Sequence, residues 1–195
     1  MKNVVLALAL CLCGGLAAAQ KPGGGFEAQE PMRNSLGFPM GGEGAQESLG
    51  ETAATHIGFI GACRLYPSDA PEVQGLVAMS LAEASLGMDL AKAPKDSAAL
   101  RAKLAQRLGS QDGLKAVSET IQAMRKRTLA EQTHAGKLIE AYAPLTGKKA
   151  NPCTLEQYYL RQFLKQHKDG AMKAAPRINQ LAREILAQNS SAKAK

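Results

Sequence analysis

From Ser48 onward, apolar side chains recur at the spacing of α-helices that turn one face inward. The first such stretch runs from about Glu51 to Tyr66. Its Ala54, Gly58 and Ala62 form a stripe of small residues at i, i+4 spacing, where a second helix can approach closely. Pro67 ends it. Ser68-Asp69, with Pro71 in the first turn, opens a second helix to about Leu90. Val73, Val77, Leu81, Ala84 and Met88 line one of its faces, and Leu76, Met79, Leu86 and Leu90 another. A helix apolar on two faces belongs at the centre of a bundle.

Asp96 or Ser97 caps a shorter helix with Leu100, Leu104 and Leu108 in register, ended by Gly109. Ser110 opens the longest helix, through about Ala143. Leu114, Val117, Ile121, Met124, Ala135, Leu138 and Tyr142 fall on a heptad-like seam that Thr128 and Glu131 interrupt. Pro144 and the Gly147-Lys148-Lys149 loop end it. Thr154 and Gln157 have the spacing of a capping box just after Cys153. The helix they predict carries Leu155, Tyr159 and Phe163 on one stripe and Leu160 and Leu164 on the next. Tyr142, Tyr158, Tyr159 and Phe163 read as core. After Gly170, a last helix with Pro176 in its first turn puts Ile178, Leu181, Ala182 and Ile185 on one face, and residues 189–195 read as a frayed basic tail. Neither strand alternation nor a repeat of fixed period is present in this stretch. The expected fold is all-α, a single bundle of five to six helices over residues 48–188.

The first 47 residues break this pattern twice. Met1-Lys2-Asn3, the apolar run Val4 to Leu12 and the small residues Ala17-Ala18-Ala19 have the layout of a secretory signal peptide, cut before Gln20. The apolar run falls short of the about twenty residues that span a bilayer. Leucine precedes both Cys11 and Cys13, where a lipidation site wants a small residue. Residues 20–47 are rich in glycine and proline and poor in aliphatic side chains, so they read as a flexible leader. No later stretch is apolar enough to span a membrane.

Removal of residues 1–19 leaves Cys63 and Cys153. In an exported chain two cysteines pair more often than not. Here the bridge would join the end of the first helix to the start of the fifth. Closing a loop of 90 residues stabilises a fold by about 4 kcal/mol through chain entropy.

Charge changes the functional picture. The whole chain carries a formal net charge of +7, but residues 20–100 hold 5 Lys+Arg against 10 Asp+Glu, and residues 101–195 hold 18 against 7. A basic half attracts anionic partners. Arg125-Lys126-Arg127 is its densest run, and with Arg101 and Arg107 it marks the expected partner-facing region. An acidic protein surface or an envelope polyanion fits that region. Nucleic acid does not, since the chain has no Trp and its Tyr142, Tyr158, Tyr159 and Phe163 fall on or next to helix seams rather than standing out as stacking platforms.

Candidate chemistry is sparse. Glu131 and His134 make a Glu-x-x-His pair, the unit of bundle-type di-metal sites, but the second copy is missing: alanine and leucine stand three residues before His56 and His167. The pair reads as a surface contact. The scattered methionines read as core filling and linker rather than a copper site. Ser48 reads as a helix cap rather than as half of an acid–serine pair with Glu47. Neither a catalytic constellation nor a metal or cofactor site is expected. The sequence points to an exported binding module, periplasmic or secreted, of the adaptor, chaperone-like or immunity type. The alternative is a periplasmic enzyme or small-ligand carrier with its site assembled between helices.

Overall fold

A computed structural model describes residues 47–143 and 152–192. The expected signal peptide, nearly all of the expected leader and the Gly147-Lys148-Lys149 loop lie outside those residues. The described residues fold into six α-helices: α1 (Leu49–Cys63), α2 (Pro71–Leu86), α3 (Ser97–Leu108), α4 (Gln111–Tyr142), α5 (Pro152–His167) and α6 (Ala171–Ala192). A short 3-10 turn, Leu90–Lys92, joins α2 to α3. Among the described residues there is no strand, and no helix is long and apolar enough to cross a membrane.

Local chemistry sets most boundaries. Ser48 caps α1 in a complete capping box with Glu51. Asp96 caps α3 through the Ala99 N–H, and Ser110 caps α4 through the Gly113 N–H. Two boundaries differ from expectation at prolines. Pro71 is the first residue of α2, which makes Ala70 the N-cap, and Ala70 offers no side-chain oxygen. Pro152 likewise begins α5, so Cys153 and Thr154 lie inside the helix and Thr154 is no cap. Two others follow from glycine. Gly87, at φ +66°, closes α2 in the left-handed conformation before Leu90. Gly170 precedes an α6 that starts at Ala171, so Pro176 sits in the second turn. There it leaves the Met172 carbonyl without its helical donor. Helix α6 also continues past Asn189, whose side-chain amide donates to the Leu108 carbonyl at 3.2 Å.

The core lies around α2, which packs against α1, α6, α4 and α3. Leu76, Met79, Ala82 and Leu86 are fully buried there, facing Leu100, Leu104 and Leu108 of α3 and Ile178, Ala182 and Ile185 of α6. The other extensive contact joins α1 to α4, and the small-residue stripe makes it possible. A Cβ added at Gly58 would stand 2.5 Å from the Thr128 carbonyl oxygen and 2.7 Å from the Glu131 Cβ. At this approach the Thr128 hydroxyl donates to the Ala54 carbonyl at 3.1 Å. Thr128 and Glu131 therefore do not interrupt the α4 seam. With Met124 and Ala135 they are its most buried residues.

The Cys63–Cys153 disulfide joins the last residue of α1 to the first turn of α5, with Cα atoms 5.5 Å apart. It also orients α5. Residues 153, 156, 160, 163 and 167 share one helical line, and Glu156, Leu160, Phe163 and His167 on that line face inward. Leu155, Tyr158 and Tyr159 are consequently turned out, at 36%, 58% and 46% exposure, and the two tyrosines are not core.

Candidate functional site

Two sets of polar groups stand out: carboxylates buried against α1, and the cations of α3 and α4. The first set holds the fold. Helix α1 is short of large aliphatic side chains, and neighbouring helices hook onto it with polar ones. Glu83, buried in the last turn of α2, accepts the Ser48 hydroxyl, the Gly50 N–H at 2.9 Å and the Leu90 N–H at 3.2 Å. Its carboxylate thus satisfies a free donor at the start of α1 and fixes the turn after α2. Burial pushes the Glu83 carboxyl above its ordinary pKa. The three hydrogen bonds oppose that shift, and nearby Asp89 adds to it. Ser80, one turn earlier, donates to the Gly50 carbonyl at 3.0 Å.

On the other side of α1, His56 Nδ1 meets Glu156 Oε1 of α5 at 2.5 Å, both side chains nearly fully buried. Phe163 packs on the His56 ring at 4.9 Å between centroids and on His167 at 4.6 Å. Burial lowers the His167 pKa, against the pull of Asp89. Neither Glu83 nor Glu156 is among the site residues expected from the sequence, and His56 enters there only as lacking a Glu three residues before it. The signal was there for both acids: Glu83 is four residues from Met79 on an apolar face, and Glu156 is four before Leu160.

The expected partner-facing cations disperse. Arg125 and Lys126 are exposed on the outer side of α4. Arg101 is exposed on α3, where its guanidinium reaches Glu184 of α6 at 3.9 Å. Arg107 is half-buried, its guanidinium lying over Gly87 so closely that any side chain there would collide with it. Arg127 does not face outward. It pairs with Glu47 and donates to the Thr55 hydroxyl at 2.9 Å, because the rotation that buries Thr128 and Met124 carries position 127 toward α1. The Glu131–His134 pair is not a surface contact, since Glu131 is 1% exposed. Among the described residues, no three His, Cys, Asp or Glu side chains are grouped as metal ligands.

Helix α4 adds a feature the seam reading did not contain: Leu129, one turn after Arg125 and Lys126, is 55% exposed. An open cleft of about 270 Å³ lies at the end of α2, lined by Leu86, Gly87, Lys103, Gln106, Arg107 and Gly113. These features define an all-α, disulfide-linked helical bundle with Arg125 and Lys126 exposed on α4. Comparison with known proteins finds no matching family model, no matching curated protein and no matching solved structure.

Proposed function

We propose that this chain is an exported, non-enzymatic binding protein whose outer α4 face meets an acidic partner. The observation that carries the reading is the grouping of Arg125, Lys126 and the exposed Leu129 on one side of a helix whose other side is locked into the core. The cations attract and orient an acidic surface. The leucine supplies apolar area to remove from water at the contact. The Cys63–Cys153 bond supports export, because such bonds persist in oxidising compartments, and it agrees with the Ala17-Ala18-Ala19 cleavage context. An enzyme built on the buried acids and histidine would need them to converge on a shared space. Here His56 and Glu156 face each other, and Glu83 faces the backbone of α1.

Reversing Arg101, Arg125 and Lys126 to Glu tests the proposal. Exposed charges contribute about 0–1 kcal/mol per pair, so Tm is expected to move by no more than about 4 °C. Capture of the partner from native envelope extract is expected to fall at least about tenfold at low salt. Undiminished capture would reduce these cations to a solvated face and end the proposal.

A further inference from the structure

We propose that the cleft at the end of α2 is an oxyanion-binding site in which Lys103 and Arg107 hold a carboxylate or phosphate group. It deepens the acidic-partner reading by naming where one acidic group would seat, and it rests on that reading only for the sign of the partner's charge.

The cleft is walled by Leu86 and Gly87 of α2's end, by Lys103, Gln106 and Arg107 of α3, and by Gly113 in the first turn of α4. Among the described residues, no acidic side chain lines it. Lys103 and Arg107 stand four residues apart on one helix, so their like charges share a face and repel each other. Neither forms an ion pair with any described residue. An anion between them would remove that repulsion.

Arg107 is pre-organised for the task. Its guanidinium is confined by Gly87, whose left-handed backbone and missing side chain leave the space it occupies. A side chain already held in place loses little freedom when it binds. Its Nε is buried and has no hydrogen-bond acceptor, a state in which a donor forfeits its hydration without compensation. Arg107 lines the cleft, where its guanidinium can take an oxyanion as such groups bind carboxylate and phosphate. Gln106 adds an amide donor at the edge. Helix α4 points its N-terminus, the positive end of its dipole, at the same corner. The competing role for Arg107 is to complement the carbonyls at the C-terminus of α2, which requires no ligand.

The two roles separate by titration. In the full chain, the Arg107 Nε–H and Gly113 N–H resonances are followed as inorganic phosphate is added in one arm and an acetylated triglutamate peptide in the other. Chloride at matched ionic strength is the reference. A saturable shift of both resonances is expected in at least one arm. Saturation by phosphate alone marks a free-phosphate site, and tighter binding of the peptide marks a seat for a protein partner's carboxylate. Lys103→Gln should weaken binding at least about fivefold, and Arg125→Gln should leave it unchanged. If Lys103→Gln fails to fold, Gln106→Glu, at an exposed position, places a competing carboxylate at the cleft and should weaken binding likewise. No saturable shift in either arm, or a drift identical to that of the Arg125 Nε–H, would overturn the proposal. Because the triple reversal on α3 and α4 leaves Lys103 and Arg107 intact, the site and the wider basic-surface reading fail independently.

Discussion

Glu83 shows how one side chain can couple the fold to pH. Its carboxyl is buried and its pKa is raised, chiefly by lost hydration. The folded state therefore binds this proton more tightly than the unfolded chain does. Stability from this group is fully present below the unfolded value, near 4.5, and is lost as pH rises through the raised folded value. Gln cannot ionise, yet its amide oxygen can still accept from the Gly50 and Leu90 N–H groups. The Glu83→Gln variant should accordingly show a flatter decline of Tm with pH above 4.5 than the parent, measured by thermal melts across that range. Parallel pH profiles would mean that Glu83 does not carry this dependence. The role was only half legible beforehand. The acid's place on an apolar face is visible in the sequence, but its acceptors lie at the start of α1 and beyond the end of α2, and only the fold brings those segments together.

Among the helices, the α1–α4 contact is the most specific claim. Gly58 is required because the backbone of α4 lies where its side chain would be, whereas nothing stands within 4 Å of a Cβ at Gly136 of α4. Gly58→Ala should destabilise by about 1–3 kcal/mol through overpacking, and Gly136→Ala should stabilise by about 0.5–1 kcal/mol through helix propensity. Urea unfolding of the two variants decides this, and equal effects would contradict the packing described. The stripe Ala54, Gly58 and Ala62 announced this contact, as the serine and aspartate caps announced the starts of α1, α3 and α4. The rotation of α5 was not announced. Leu155 and Tyr159 look like core by type, but the disulfide at Cys153 and the buried His56–Glu156 pair turn the helix the other way. Thr128 and Glu131 were misjudged for the same reason. Polar residues look like breaks in a seam until the partner surface, here small and backbone-rich, is known.

At the scale of the whole molecule, charge and covalent linkage organise the picture. Three described acids are used inward, Glu47 on Arg127, Glu83 on the start of α1 and Glu156 on His56, while Glu184 meets Arg101 at the surface. This leaves Arg125 and Lys126 facing solvent beside Leu129. The basic excess was plain in the sequence. Its distribution was not, because Arg127 turns inward and Arg107 is confined by Gly87, and neighbours in sequence say little about which side of a helix meets the core. The central claim is that the outer side of α4 meets the partner. Covalent labelling of lysines tests it most directly, comparing the free chain with the chain captured on its partner. The account predicts that Lys126 is protected from acylation in the complex while the exposed Lys165 of α5 and Lys173 of α6 label as before. Equal labelling of Lys126 in both states, with protection at Lys165 or Lys173 instead, would contradict it.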